Sequence, residues 1–340
     1  MLTRFGIEPT LGIMLPVGFG VEPLDLLELA KASDRAGLDA IGVGELSSTE
    51  ALSLMGAVAV TTERIRLETG VLSVASRAPS LLAMAASTLA ALSDDRFVLG
   101  IGAGSPIVSS YHGDTFEHPL GRMAETLTAV RTALASGRLD AWGGFKLRGI
   151  EPRSVPLFIS AMNERMFELA AREADGVLIN FIGPEQMAEL APELRRIRAE
   201  AGNDMPFEII ALVHAAAEDE GDPVSAYRRE MAPYLAVPTY RRAAVAISSA
   251  SEVDAAAEAW KKGGRDAGAA AFPQSIVDAA LAVGEDQITR KVHKLVEAGC
   301  DGVRFVPVSV RGTDPAPMHA LVDRLATMIA ARTTTQENMP

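Results

Sequence analysis

The chain has 340 residues, of which 48% are hydrophobic, and a formal net charge of −12. This length and composition allow a large buried core, and the acidic balance argues against nucleic-acid binding, which leaves a basic footprint. Residues 1–16 lack the continuous apolar core of a signal peptide, and no long apolar run predicts a membrane span. The one cysteine, Cys300, excludes an internal disulfide. We therefore expect a cytoplasmic globular protein without nucleic-acid or membrane partners.

Eight apolar segments alternate with helical patterns, which predicts a parallel sheet. Eight such units indicate α/β architecture closed into a (β/α)8 TIM barrel, in a single domain over residues 1–340. The alternative, an open doubly wound sheet, normally has fewer strands and a glycine-rich loop after the first one. The predicted strands are 11–17, 39–45, 66–72, 97–102, 156–161, 176–181, 207–213 and 302–308, and the predicted helices include 24–36, 80–93, 121–136, 163–173, 184–201 and 314–332.

A weak internal repeat supports the barrel. The sequence AGLDAI at 36–41 returns as ADGVLI at 174–179 and as AGCDGV at 298–303. Each copy follows a helical pattern and leads into an apolar strand, with glycine or aspartate in the turn. Two stretches depart from the alternation: residues 137–154 predict an insertion loop, and residues 217–285 predict a helical insertion before the last strand, as a lid or an oligomer surface.

Small residues follow two of the predicted strands, where a parallel barrel builds its active site. The third strand breaks at Gly70 and Val71, and the fourth ends in GIGAG at 100–104. As a dinucleotide fingerprint GIGAG is weak, because Ser105 and Pro106 follow with no immediate helix expected. Small residues there allow tight strand packing and also close approach of backbone to a flat ring, with Gly102 and Gly104 as candidates.

Two further strand ends carry candidate groups. Ser160, Ala161, Met162 and Asn163 precede a predicted helix, so they are candidates for a phosphate site, although Ser160 or Asn163 as a simple helix cap is an equal alternative. Glu45 follows the second strand, where an acid would contact a ring or move a proton, or would be a solvated loop charge.

The remaining titratable residues point to no specific chemistry. His112 and His118 lie in a loop after the fourth strand and are either substrate contacts or polar surface, and His214 lies in a strand pattern and is interpreted as structural. The histidines have no metal-ligand spacing, and no G-x-S-x-G elbow is present, so we predict neither a metal site nor a serine hydrolase.

Several ordered segments resemble one family. They are 36–45, 61–71, 96–104, 155–161 and 170–177. With these motifs the chain resembles the luciferase-like flavin-dependent oxidoreductases, and within them the coenzyme F420-dependent branch that includes methylenetetrahydromethanopterin reductase. The resemblance implies a (β/α)8 barrel, usually a homodimer, that holds a flavin or deazaflavin at the strand ends. It also implies a non-prolyl cis peptide at Gly70–Val71 and a cofactor phosphate near residues 160–162.

The resemblance has two departures. Sugar-phosphate dehydrogenases of this family carry a histidine and a glutamate where this chain has Leu46 and Ser105, which argues against sugar-phosphate oxidation. The resemblance favours hydride transfer between coenzyme F420 and a small organic substrate, with Glu45 supplying or relaying a proton. An FMN-dependent monooxygenase and a non-catalytic flavin-binding homologue are the alternatives. The expected cofactor contacts are Gly70, Val71, Gly102, Gly104, Ser105, Ser160, Ala161, Met162 and Asn163.

Overall fold

The computed structural model describes residues 9–217, 221–308 and 310–337, apart from the side chains of Phe19 and 331–337. Half of the segment to which the signal-peptide prediction applies, residues 1–8, lies outside the described residues. The described strands are β1 Thr10–Leu15, β2 Ala40–Val43, β3 Arg66–Thr69, β4 Leu72–Ser73, β5 Phe97–Gly102, β6 Arg138–Leu139, β7 Phe145–Lys146, β8 Leu157–Ser160, β9 Gly176–Ile179, β10 Glu208–Ala216, β11 Leu281–Val283 and β12 Gly302–Pro307.

Eight of these strands close into a parallel barrel. The order runs β1, β2, β3, β5, β8, β9, β10 and β12, and β12 pairs with β1. All eight predicted strands are confirmed, and with them the (β/α)8 barrel. The surrounding helices are α1 Pro23–Arg35, α2 Ala51–Thr61, α3 Pro79–Leu92, α4 Pro106–Tyr111, α5 Pro119–Ser136, α6 Glu164–Glu173, α7 Pro184–Glu200, α8 Pro223–Met231, α9 Pro238–Val245, α10 Ala250–Ala270, α11 Gln274–Ala280, α12 Gly284–Glu297 and α13 Ala316–Glu337.

Each copy of the internal repeat places an aspartate directly before a barrel strand. Asp39 accepts a hydrogen bond from the Leu11 N–H of the neighbouring strand at 2.7 Å. Asp175 and Asp301 accept the same kind of bond, each at 2.8 Å, from the N–H groups of Leu157 and Ile209. Each aspartate therefore fastens the start of its strand to the strand beside it, which fixes the register at the amino-terminal end of the barrel.

The amino-terminal half of the barrel interior holds four charged side chains. Arg304 donates to both carboxylate oxygens of Glu68 at 2.8 Å, and Arg66 donates to Glu68 and, at 2.8 Å, to Glu208. Arg304 and Glu68 are 0% and 1% exposed. Burial alone would raise the pKa of Glu68, but the guanidiniums of Arg304 and Arg66 lower it to about 2. The buried side chains Val98, Phe158, Leu178 and Ile210 form a separate apolar cluster of strand residues.

The two predicted insertions are more ordered than the sequence indicated. Residues 137–154 contain the antiparallel hairpin of β6 and β7. The 217–285 insertion contains α8 to α11 around its own apolar cluster, but it is not purely helical, because β11 adds a parallel strand to β10. None of the described helices is long and apolar enough to cross a bilayer.

One local expectation was wrong. A helix does begin directly after Ser105, since α4 starts at Pro106. Proline at the first helical position loses no hydrogen bond, and the Ser105 hydroxyl accepts the Val108 N–H at 3.2 Å as a cap. The sequence Ser-Pro therefore marked a helix start, although the helix is only six residues long.

Candidate active site

The break after β3 is a cis peptide bond between Gly70 and Val71, which confirms the prediction for this position. The strand direction resumes in β4, which pairs with the end of β5. Beside the break, the Thr69 hydroxyl both donates to the Gly100 carbonyl and accepts the Gly100 N–H, each at 2.8 Å. A Cβ on Gly100 would overlap the Thr69 carbonyl. Glycine at 100 therefore allows β5 to approach the distorted strand.

The residues that follow this break meet at the carboxyl ends of neighbouring strands. A Cβ on Gly102 would lie 2.5 Å from Val71 Cγ2 and 3.6 Å from Ser160 Cβ, and a Cβ on Gly44 would lie 3.2 Å from the Gly70 carbonyl oxygen. Val71 and Leu212 are partly buried and pack on the interior apolar cluster. These contacts bring the predicted residues Gly70, Val71, Gly102 and Ser160 together on a floor of small and apolar groups. Such a surface fits a flat ring system.

Glu45 is held in an ion pair at the edge of this floor. Its two carboxylate oxygens accept from Arg77 Nη1 at 2.6 Å and from Arg77 Nη2 at 2.7 Å. The backbone N–H of Ala51 donates to the same carboxylate at 3.1 Å. The side chains of Glu45 and Arg77 are 12% and 10% exposed. The alternative of a solvated loop charge was therefore wrong.

Arg77 is the residue that sequence reasoning missed at this site. It also pairs with Glu50, and the hydrogen bond to Glu45 raises the pKa of the guanidinium above its ordinary value. Arg77 lies between β4 and α3, in a loop at the same carboxyl-terminal end of the barrel. The signal that could have indicated it is its charge, because Arg77 follows a strand end as Glu45 does.

Three further predicted contacts, Ala161, Met162 and Asn163, lie with Ser160 around the start of α6. Asn163 caps this helix, and its side-chain oxygen accepts the Met166 N–H at 3.1 Å, so the capping alternative is confirmed for Asn163. Ala161 is buried, whereas Ser160 and Met162 are partly exposed. No hydrogen bond links the Ser160 hydroxyl to another described residue. Because the cap accepts only the Met166 N–H, the other N–H groups of the first turn of α6 have no acceptor within the helix and can bind an anion.

Ser73 is the neighbour of Gly104. Gly104 has a φ of +74°, and a Cβ there would lie 2.6 Å from Ser73 Oγ. This left-handed conformation favours glycine and leads the chain from β5 to the cap residue Ser105. The predicted contacts Gly104 and Ser105 therefore shape the loop after β5.

Aromatic side chains connect the helical insertion to the strand ends. Phe181 follows β9 with a φ of +53° and packs edge-to-face on Tyr240, with ring centroids 5.7 Å apart. Tyr240 packs in turn on Tyr234 at 4.8 Å, and Met162 packs against the same cluster. The insertion therefore lies over the ends of β8 and β9, although the sequence patterns identified none of these individual aromatic contacts.

The histidines divide into exposed and buried ones. His112 and His118 are exposed, and His118 lies in a cleft at the start of α5 and α6. His214 is 3% exposed and packs edge-to-face on Tyr227 with centroids 4.9 Å apart. Burial lowers the pKa of His214 to about 4. Among the described residues, no three of the His, Cys, Asp and Glu side chains group as metal ligands.

Known proteins resemble the chain over most of its length. Residues 9–302 match the family described as Luciferase-like monooxygenase. A 5,10-methylenetetrahydromethanopterin reductase of Archaeoglobus fulgidus is 32% identical over 177 residues, 50% of this chain and 53% of that protein. The chain thus spans about half the length of that relative. A putative coenzyme F420-dependent oxidoreductase of Mycobacterium tuberculosis is 27% identical over 343 residues, 88% of this chain and 94% of that protein.

Solved structures share the fold. The coenzyme F420 dependent tetrahydromethanopterin reductase from Methanopyrus kandleri superposes with a TM-score of 0.77 at 20% identity, over 94% of this chain and 97% of that one. The oxygenating constituent of 3,6-diketocamphane monooxygenase from Pseudomonas putida, in complex with FMN, gives 0.67 at 17% identity, over 94% and 97%. This barrel is therefore shared by a coenzyme F420 dependent reductase and by a monooxygenase component in complex with FMN.

Proposed function

Because the chain belongs to the luciferase-like monooxygenase family, we propose that it is an oxidoreductase that uses coenzyme F420 and acts on a small organic substrate. The observation that carries the proposal is the floor of Gly70, Val71 and Gly102 at the glycine-edged end of β5. The relative from Mycobacterium tuberculosis, named as a putative coenzyme F420-dependent oxidoreductase, supports this cofactor over FMN. When bound, coenzyme F420 would supply the hydride, and the protein would supply orientation and exclusion of water.

The residues on this face fit the cofactor in two ways. Gly70, Val71 and Gly102 form the apolar floor, which suits one face of a planar ring and leaves the other face for substrate. The start of α6 suits a phosphate, because its first N–H groups point outward and the Ser160 hydroxyl lies at the end of β8. Ala161, Met162 and Asn163 would shape that end, and Gly104 and Ser105 would border the ring from the loop after β5.

The role of Glu45 follows from its partner. With both oxygens accepting from Arg77, the carboxylate holds the loop after β4 against the start of α2. We infer that the main role of Glu45 is to position Arg77, whose guanidinium lies at the barrel mouth. A transfer of a proton from Glu45 requires this ion pair to open, and the proton role of Glu45 stays a prediction.

The test is a parallel fluorescence titration of the purified protein with coenzyme F420 and with FMN. We expect saturable binding of coenzyme F420 and much weaker binding of FMN. Preference for FMN would replace the proposal by the monooxygenase alternative. Binding without turnover of any reduced cofactor with candidate acceptors would favour the non-catalytic homologue.

A charge variant makes the titration specific to the site. Ser160→Asp places a negative charge beside the expected phosphate and should weaken binding of coenzyme F420 by at least about tenfold. Ser160→Ala is the matched control, because it removes only a hydroxyl with no hydrogen bond to a described residue, and should weaken binding severalfold at most. Equal affinities of the two variants would contradict the phosphate position.

The outer surface of α2 and α3 supports a homodimer. The two helices contain no charged residue, and α3 exposes Leu81, Met84 and Leu92 on one face, at 49%, 45% and 47%. Val60 of the adjacent α2 is 62% exposed. A surface helix of a monomer normally carries charges on its outer face. We propose that this face, residues Val60, Leu81, Met84 and Leu92, pairs with a second copy of the chain.

The cytoplasmic location stays a prediction.

A further inference from the structure

His214 lies on the inward face of β10, next to the floor of small and apolar groups. Side chains alternate between the two faces of a strand, and Ile210 and Leu212 of β10 both belong to the apolar cluster of the barrel interior. His214 follows Leu212 by two positions, so it lies on the same face, roughly 7 Å further toward the carboxyl end. Val213 lies on the opposite face, in the core shared with the surrounding helices. His214 therefore borders the space at the barrel mouth.

Both ring nitrogens of His214 are buried and have no hydrogen-bond partner among the described residues. A buried polar group normally has a partner, because burial removes its hydrogen bonds to water. Burial also keeps the imidazole uncharged at neutral pH, since its pKa is about 4. One nitrogen of a neutral imidazole is a donor and the other an acceptor. The fold thus holds a neutral donor and a neutral acceptor for which it supplies no partner of its own.

The side chains around the imidazole hold it in place without satisfying it. Tyr227 packs edge-to-face on His214 at 4.9 Å and on Phe272 at 5.9 Å between ring centroids. The Tyr227 hydroxyl is itself buried without a described partner, so it donates to neither nitrogen. The register partners of His214 on the two adjacent strands, Leu281 of β11 and Val306 of β12, are apolar. The partner that the imidazole lacks must therefore come from outside the chain.

The wall on which His214 lies is open toward the floor and carries no charge. Leu212 and Val306, its neighbours on this wall, are both partly exposed, as is Val71 of the floor. A charged ligand group would lose its hydration here without gaining an opposite charge. An uncharged oxygen loses much less and gains a hydrogen bond from the imidazole. The wall therefore favours a neutral ligand.

We propose that His214 donates a hydrogen bond to an uncharged oxygen of the substrate, a carbonyl or a hydroxyl, while Leu212 and Val306 contact its carbon skeleton. The substrate class is then a neutral ketone or alcohol. This inference rests on the proposed function, because it names the substrate class of that site. It also gives the mouth a polar group for substrate, which Leu46 cannot supply. A hydrogen bond from the ring would orient the substrate oxygen over the floor.

The test uses the protein without cofactor and two neutral probes of the same shape. Cyclohexanone carries a carbonyl oxygen, and methylenecyclohexane carries a CH2 group in its place. Each is titrated into protein with nitrogen-15 in its five histidine rings, whose resonances are followed by NMR. We expect cyclohexanone to shift the His214 resonances saturably and to bind at least about tenfold more tightly than methylenecyclohexane. Equal affinities, or no saturable shift at His214, would overturn the proposal.

A variant decides whether the imidazole carries this preference. His214→Phe keeps an aromatic ring against Tyr227 but removes both nitrogens, so it should bind the two probes with equal affinity. Because it also removes two unpartnered polar atoms from the core, its urea midpoint at neutral pH should not fall below that of the unaltered chain. Loss of the preference is then not a loss of folding. His293→Phe is the matched control, because His293 is exposed on α12, and it should keep the preference. A preference that persists in His214→Phe would overturn the proposal.

The parallel titration with coenzyme F420 separates this inference from the proposed function. Binding of coenzyme F420 without a preference for cyclohexanone would overturn only the role of His214. A preference that depends on His214, in a chain that does not bind coenzyme F420, would contradict only the proposed cofactor.

Discussion

Glu45 and Arg77 join two loops at the barrel mouth through two parallel hydrogen bonds, Nη1 to Oε1 at 2.6 Å and Nη2 to Oε2 at 2.7 Å. The pair lies 32 residues apart in sequence, one partner after β2 and the other after β4. The Ala51 N–H adds the start of α2 to the same carboxylate. This bidentate geometry makes the pair specific for arginine, since the ammonium of lysine forms only a point contact.

We expect Arg77→Ala to destabilise the protein by about 3 kcal/mol, because it leaves the largely buried Glu45 carboxylate without its cation. Arg77→Lys keeps the positive charge but not the bidentate geometry of the guanidinium, so it should lower the free energy of unfolding by less than Arg77→Ala does. The double variant Glu45→Gln/Arg77→Met should recover part of the loss, since no unpaired charge remains. Urea unfolding followed by circular dichroism measures all three. Equal stability of Arg77→Ala and the unaltered chain would show that the pair is solvated and not structural.

The charged cluster inside the barrel should tolerate substitution even less. Glu68→Gln removes the carboxylate between Arg66 and Arg304 and leaves two buried guanidiniums with one remaining acid, Glu208, so we expect a loss of about 3–5 kcal/mol. The exposed control Glu258→Gln, which breaks the pair with Lys261, should change the free energy of unfolding by less than about 1 kcal/mol.

The same cluster gives a pH dependence. The pKa of Glu68 is about 2 in the fold against an ordinary value of 4.5. Between about pH 4.5 and pH 2 the unfolded chain therefore binds more protons than the folded chain. The stabilisation that Glu68 provides is complete above about pH 4.5 and is lost as the pH falls toward 2. Urea midpoints measured from pH 6 to pH 3 should fall for the unaltered chain. If the urea midpoint of Glu68→Gln falls less steeply with pH, the difference is assigned to the Glu68 carboxylate. Parallel pH curves for the variant and the unaltered chain would contradict this assignment.

His214 adds a second pH effect at milder acidity. Its pKa is about 4 because of burial, against 6.5 in the unfolded chain. Between these values the unfolded state takes up the proton, so stability decreases as the pH falls from about 6.5 to about 4. We expect the free-energy difference between His214→Leu and the unaltered chain to shift by roughly 2–3 kcal/mol in favour of the variant across this window. A difference that does not change with pH would show that His214 is hydrated in the fold.

The sequence predicted the barrel well because its signals are local. Apolar strand patterns and the repeated aspartates such as Asp39 and Asp301 act on neighbouring backbone and are visible at short range. The site was predicted less completely, because its geometry depends on distant partners. Glu45 meets Arg77 only after β3 and β4 are in place, and Phe181 meets Tyr240 only after the insertion packs. The Gly70–Val71 geometry was predicted from family resemblance, since a glycine before valine does not by itself indicate a cis bond.

The apolar face on α2 and α3 provides the last prediction. Met84→Glu places a charge at the centre of the exposed stripe between Leu81 and Leu92. Burying an unpaired carboxylate in an interface is costly, so we expect the variant to sediment and scatter light as a monomer where the unaltered chain is a dimer. Leu24→Glu is the matched control, because Leu24 of α1 is 75% exposed and lies outside this face. A monomeric unaltered chain, or a dimer that persists in Met84→Glu, would show that α2 and α3 are not the interface.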